Sequence, residues 1–165
     1  MLADRADDAD NKGNQTTVST RFCDLEQCEV KLIMKNQNTV TYEIRGAIYS
    51  VYNELGPGLL ESIYEGALLY ELQNRGLNVK CQVPVKASYK GVEMDFGYRI
   101  DLLVEDDVIV EVKSVESLHD VHKKQLLTYL KLAHKSLGIL INFNVAQIED
   151  KINLIRVIDS SAQSA

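Results

Sequence analysis

The stretch RIDLLVEDDVIVEVK, residues 99–113, decides the architecture. Two apolar runs, Ile100 to Val104 and Val108 to Val112, flank the acidic triplet Glu105-Asp106-Asp107. Short β-branched runs around a polar turn read as the two strands of a hairpin. With those three residues as the turn, Val104 faces Val108 and, counting back, Asp101 faces Glu111. Directly paired residues project to one side of a sheet. Lys113, two residues beyond Glu111, shares that side. One face of the hairpin therefore carries two carboxylates and an ammonium. Ile100, Leu102, Val110 and Val112 point the other way, into the core. A two-residue turn without a bulge would break this parity.

Working outward, residues 77–89 place Leu77, Val79, Cys81, Val83 and Val85 at alternate positions, the pattern of a half-buried strand. Lys90-Gly91 turns the chain into a strand over 92–104. Residues 108–113 form the third strand, 137–142 a buried fourth and 153–158 a last one. Between the third and fourth, the spacing predicts a helix over 118–134, with Ser117 as N-cap and Asp120 three residues on. Its apolar stripe is Leu118, Val121, Leu126, Tyr129, Leu130 and Ala133. Upstream, Ile44, Ile48, Val51 and Leu55 predict a helix over 41–55, stopped by Gly56-Pro57-Gly58. A second helix covers 59–74, with Leu60, Ile63, Tyr64, Ala67, Leu68 and Leu72 on its apolar face. The order is α-β-β-β-α-β, with an extra helix before it and a strand after it: an α/β domain.

Residues 1–38 read as an N-terminal tail and 39–160 as a single domain. The first 20 residues hold almost no large apolar side chains and cannot offset the entropy of ordering. Glu29 to Met34 predicts a short strand. Residues 1–33 read as a dispensable leader or as an extension before a start at Met34. The N-terminus lacks an apolar signal core and no apolar run reaches 18 residues, so the expected location is cytoplasmic. Cys23, Cys28 and Cys81 are an odd set without a second metal-binding pair, so reduced thiols are expected. The formal net charge is −6. Nucleic-acid binders are usually basic, so the charge counts mildly against nucleic acid, although the acids that converge on the hairpin face would be offset by a bound cation. Part of the acid, Asp4, Asp7, Asp8 and Asp10, lies in the tail.

Carboxylates on adjacent strands suit Mg²⁺, a hard ion that takes few protein oxygens and keeps several waters. Such an ion activates water and neutralises a phosphate oxygen. A nearby lysine orients or deprotonates that water, or stabilises the developing charge. Taken alone, Asp101, Glu111 and Lys113 read equally well as a solvated salt bridge. Gln125 falls beside the apolar stripe one turn before Tyr129, and a polar group there needs partners. The pair lines the same cleft or is satisfied by backbone. His122 lies near this surface and reads as structural or exposed. Lys123, Lys124, Lys131 and Lys135 either track phosphates or form a wet helix face. Glu61 and Tyr64 are neighbours on the second helix, following Gly58, whose missing side chain allows a close approach. Glu61 either joins the acidic site or complements the helix dipole. Glu65, one turn on, is either a further acid of the site or, more simply, solvated.

These segments together resemble a family. Gly58-x-x-Glu61-x-x-Tyr64 is similar to the motif that names the GxxExxY proteins, a bacterial and archaeal group in the PD-(D/E)XK nuclease superfamily. Residues 99–104, Val110 to Lys113, Gln125 to Leu130 and Gly138 to Phe143 match in the same order, over about residues 42–143. The resemblance implies a restriction-endonuclease-like core with a central mixed sheet flanked by helices. It implies Asp101, Glu111 and Lys113 as the catalytic set, joined by Gln125 and Tyr129. The implied metal set is Glu61, Asp101, Glu111 and Val112, for Mg²⁺ with Mn²⁺ as a substitute. The implied partner is nucleic acid, DNA ahead of RNA. The oligomeric state is open, a homodimer included. After Phe143 the chain departs from the family's Lys-x-Gly-Ile-Lys-Arg pattern, of which Arg156 keeps a part. The expected function is a Mg²⁺-dependent nuclease; the alternative is a catalytically silent nucleic-acid-binding or protein-interaction module on the same fold.

Overall fold

The computed structural model describes residues 36–160. Two helices come first, α1 (Gln37–Leu55) and α2 (Glu61–Asn74). Strands β1 (Val79–Tyr89), β2 (Val92–Val104) and β3 (Val108–Lys113) follow. Helix α3 (Asp120–Ala133), β4 (Leu137–Asn142) and β5 (Leu154–Ile158) complete the order. The strands form one sheet in the order β1-β2-β3-β4-β5. β3 and β4 run parallel, and the other neighbours are antiparallel. A parallel pair needs a crossover, and α3 supplies it. The mixed sheet and the element order are those expected.

Helices lie on both faces of the sheet. On one side Ile44 and Ile48 of α1 and Tyr64, Leu68 and Leu72 of α2 pack with Leu102, Val110, Val112 and Ile141. On the other, Leu126, Tyr129 and Leu130 of α3 pack with Leu103, Ile109 and Leu140. Covered twice, β4 is buried along its whole length and β3 up to Val112. That explains their continuous apolar sequences. Gly138 sits where α3 crosses β4. A Cβ there would lie 2.8 Å from Leu126 Cδ1, inside van der Waals contact with a fully buried side chain. Gly138→Ala is expected to cost about 1–3 kcal/mol, readable as a lower urea midpoint.

Several boundaries and faces differ from expectation. α1 starts at Gln37 rather than 41, so the ordered domain begins before Thr39; the Asn36 side chain accepts from the Asn38 amide and caps it. α2 starts at Glu61, which leaves Leu60 outside and exposed; Ile63 is exposed as well. α3 is capped by His119 and His122, each side chain taking the other's backbone amide, and not by Ser117 and Asp120. Val121, Leu55 and Cys81 face solvent. The expected tail up to residue 35, the strand over 29–34 and the Cys23–Cys28 pair lie outside the described residues. Among the described residues no helix is long and apolar enough to cross a membrane.

Candidate active site

The 105–107 turn fixes the parity on which the site depends. Glu105 and Asp106 both take positive φ, and the Asp107 amide donates to the Val104 carbonyl at 3.0 Å. Val104 pairs with Val108, Leu103 with Ile109 and Leu102 with Val110. There the registered pairs stop. The Asp101 carboxylate itself accepts the Val112 amide, at 2.8 Å. Opposite Asp101 on β1, Gln82 adopts φ +51°, a backbone state rarely taken outside glycine. Asp101 therefore sits at a local break in the sheet. This break also moves Ile100, expected beside Leu102, into the other cluster with Val85 and Leu126.

Glu111 is the most buried charged group among the described residues. Lys113 Nζ donates to its Oε1 at 2.6 Å. Glu111 Oε2 is buried and has no hydrogen-bond partner among the described residues. Burial, then the charge of Asp101, pushes the Glu111 carboxyl up to about 7. Burial likewise raises Asp101 to about 6, against the Val112 amide that favours its charged form; Glu65 and Glu61 push the same way as burial. For Lys113, burial favours the neutral form, but the charge and hydrogen bond of Glu111 outweigh it and hold the ammonium above its ordinary value.

Glu61 faces this group. Its Oε1 accepts the Ser114 amide just beyond β3, at 2.9 Å, and its charge is felt by Asp101, Glu111 and Lys113. Tyr64 holds Glu61 in place. Its ring is fully buried and stacks on Phe143, with centroids 4.4 Å apart. Its hydroxyl donates to the Gly56 carbonyl at 2.6 Å and accepts the Leu59 amide at 3.1 Å. The Gly-x-x-Glu-x-x-Tyr motif is thus a clamp: the tyrosine ties down the turn that delivers the glutamate. Gly58 is required for its φ of +99°; nothing lies within 4 Å of where its Cβ would be, so a close neighbour is not the reason.

On α3, Gln125 Nε2 donates to Tyr129 Oη at 2.9 Å. Burial raises the Tyr129 phenol, and the charges of Glu111, Lys113 and Asp101 reach it. The pair therefore lies within electrostatic reach of the carboxylates. His122 is held below its ordinary value by burial first and then by Lys113 and His119. Lys123, Lys124 and Lys131 of α3 are exposed, and Lys135, just beyond the helix, pairs with Asp106.

One further acid was read in the sequence chiefly as solvated, and one residue escaped that reading. Glu65 is tied to Gln82 at 2.7 Å and acts electrostatically on Asp101. The signal was its place one turn after Glu61. Asn142, buried at the end of β4, accepts the Val115 and Asn144 amides and donates to the Val115 carbonyl. It clamps the loop that leaves Lys113. A polar residue closing an otherwise apolar strand was the available clue. Asn142→Ala strands both Val115 groups and is expected to cost about 2 kcal/mol, checked by thermal melting.

These residues fit a divalent cation. Glu61 acts on Asp101, Glu111 and Lys113, Asp101 acts on Glu111, and Glu65 acts on Asp101, with Lys113 the ammonium among them. The unpartnered Glu111 oxygen offers an inner ligand. The Val112 side chain is in the core, so only its carbonyl is available to an ion. Among the described residues no three His, Cys, Asp or Glu side chains converge into a ready cage. The expected set of Glu61, Asp101 and Glu111 therefore does not come together as three ligands of one ion, and the pair Asp101 and Glu111 is what remains.

A family model for the PD-(D/E)XK nuclease superfamily matches residues 38–156. No curated protein and no solved structure matches the chain. The matched span contains every strand of the sheet up to Arg156 and all the residues described above, and the chain belongs to the PD-(D/E)XK nuclease superfamily.

Proposed function

We propose that the chain is a Mg²⁺-dependent nuclease of the GxxExxY type, hydrolysing phosphodiester bonds of cellular nucleic acid, DNA first, in the cytoplasm. Mn²⁺ is the expected substitute ion. One observation carries the reading: a buried, unpartnered carboxylate oxygen of Glu111 beside Asp101, with Lys113 bound to the same carboxyl. A purely structural salt bridge gains nothing from burying a second oxygen without a partner.

Asp101 and Glu111 would hold the ion, with Glu61 and the Val112 carbonyl at its margin. When bound, the ion supplies an acidified water and neutralises charge on the phosphate. Lys113, held charged by its acidic neighbours, acts as a fixed cation that stabilises the charge developing on the phosphate oxygens. Its hydrogen bond to Glu111 keeps the ammonium at the reacting centre. Gln125 holds the Tyr129 hydroxyl beside the carboxylates, where the pair supports the site from within.

Wild type and Lys113→Ala should be compared on linear, circular and single-stranded substrates with Mg²⁺ and with Mn²⁺. Cleavage by wild type, reduced about a hundredfold or more in the variant, is expected. Equal cleavage by both, or none by wild type across the panel, would favour the silent binding module.

A further inference from the structure

The β1–β2 pair turns over at one level, in both strands at once. Along a regular strand, residues two or four apart share a side of the sheet. On β2, Leu102 and Val104 pack on the α1–α2 side, whereas Ile100 packs on the α3 side with Leu126. On β1, Val79 packs on the α1–α2 side, whereas Val83 and Val85 lie on the α3 side. Registered pairs pass from Cys81–Leu102 to Val83–Ile100, so the change of side falls at the pair between them, Gln82 and Asp101. Within 79–85 and 100–104 only Gln82 takes positive φ, at +51°.

That backbone state is strained for a residue with a side chain and persists where the surroundings hold it. Gln82 is held from two directions. Its side-chain amide donates to Glu65 Oε2 of α2 at 2.7 Å, and its carbonyl accepts from Arg99 at 3.2 Å. Irregular strand positions beside active sites re-aim a side chain. The side chain at this one is Asp101. Registered β2–β3 pairs run from Val104–Val108 to Leu102–Val110. Beyond them the Val112 amide goes to the Asp101 carboxylate, at 2.8 Å. The two strands part there beside Glu111, whose Oε2 has no partner among the described residues.

We propose that Gln82 is a positioning residue for the ion seat: its left-handed backbone, held by Glu65 and Arg99, parts β2 from β3 and presents the Asp101 carboxylate to the ion shared with Glu111. This rests on the reading of Asp101 and Glu111 as that seat, and it places the control of their geometry on a strand that contributes no ligand.

The test is calorimetric titration of the full chain with Mn²⁺ at pH 8, with urea midpoints measured alongside to keep folding apart from binding. Three substitutions separate backbone from side chain, because all three lose the bond to Glu65. Gln82→Gly enters positive φ without strain and is expected to bind Mn²⁺ nearly as tightly as wild type. Gln82→Val opposes positive φ through its branched side chain and should weaken binding about tenfold or more. Gln82→Ala should fall between them. Where the valine variant is too unstable to titrate, glycine against alanine makes the same comparison. With Asp101→Asn added, the glycine variant should bind no better than the other two, because Gln82 acts through Asp101. Equal affinity of the three single variants, whether at the wild-type level or equally reduced, would overturn the proposal. So would a difference among them that survives Asp101→Asn. In both cases wild-type binding leaves the ion seat standing and removes only the role of Gln82. Absence of Mn²⁺ binding by the wild-type chain removes the seat itself, and this proposal with it.

Discussion

Glu111→Gln is expected to lower metal-dependent cleavage by about a thousandfold or more while making the metal-free protein more stable. Both effects come from one feature. The carboxyl is buried, which with the charge of Asp101 moves it from 4.5 to about 7. Between those values the folded chain holds a proton that the unfolded chain has released. Metal-free stability therefore falls as pH rises through this window. Above it the protein keeps a buried negative charge with a single ammonium beside it. Glutamine fills the same space, still accepts from Lys113, and cannot ionise. The variant should gain about 2 kcal/mol at pH 8, a few degrees in Tm. The gain should shrink toward pH 4.5, where both forms are neutral. Asp101 works in the same direction, from 3.8 to about 6. Melting curves of both proteins from pH 4.5 to 8 in a chelator check the sign. A variant that is less stable at pH 8 would show that the carboxylate is satisfied by some partner and is not waiting for a cation.

Tyr64 is the second position where a large effect is expected, and two substitutions separate its two jobs. Tyr64→Ala removes a fully buried ring stacked on Phe143. Loss of the ring and the cavity left behind should cost about 3–5 kcal/mol. Tyr64→Phe keeps the stack and deletes only the hydroxyl that joins the Gly56 carbonyl to the Leu59 amide. Its stability cost should be about 1 kcal/mol. Its activity should fall further than that loss implies, because the turn it releases leads directly into Glu61. Added Mg²⁺ should recover part of the activity of Tyr64→Phe if Glu61 acts at the ion. Denaturant melts and a Mg²⁺ titration of the cleavage rate separate the two roles.

The hairpin was legible because the acidic triplet between two apolar runs reads as a three-residue turn, and Val104 does pair with Val108. Parity then put Asp101, Glu111 and Lys113 together. It failed at Ile100, since Gln82 departs from extended backbone and no pattern in β1 announces that. The α3 cap was misread for a related reason. Capping statistics favour Ser and Asp, and here two histidines exchange backbone bonds instead. Asn142 was missed, and Glu65 read chiefly as solvated, because their partners, Val115 and Gln82, come from other elements. One helix or strand read alone does not contain those contacts. Leu60 went astray by a boundary, since the helix starts at Glu61, and Ile63 lies at the exposed edge of a face whose Tyr64, Leu68 and Leu72 are buried as expected.

The central claim is that Asp101 and Glu111 form a seat for a divalent ion, and calorimetric titration with Mn²⁺ tests it most directly. Because Glu111 is partly protonated near pH 6, binding there should release protons. The measured enthalpy should then depend on the buffer at pH 6 and lose that dependence at pH 8. Glu111→Gln and Asp101→Asn should each weaken binding at least tenfold. Absence of binding by the wild-type chain, or equal binding by wild type and Glu111→Gln, would contradict the account.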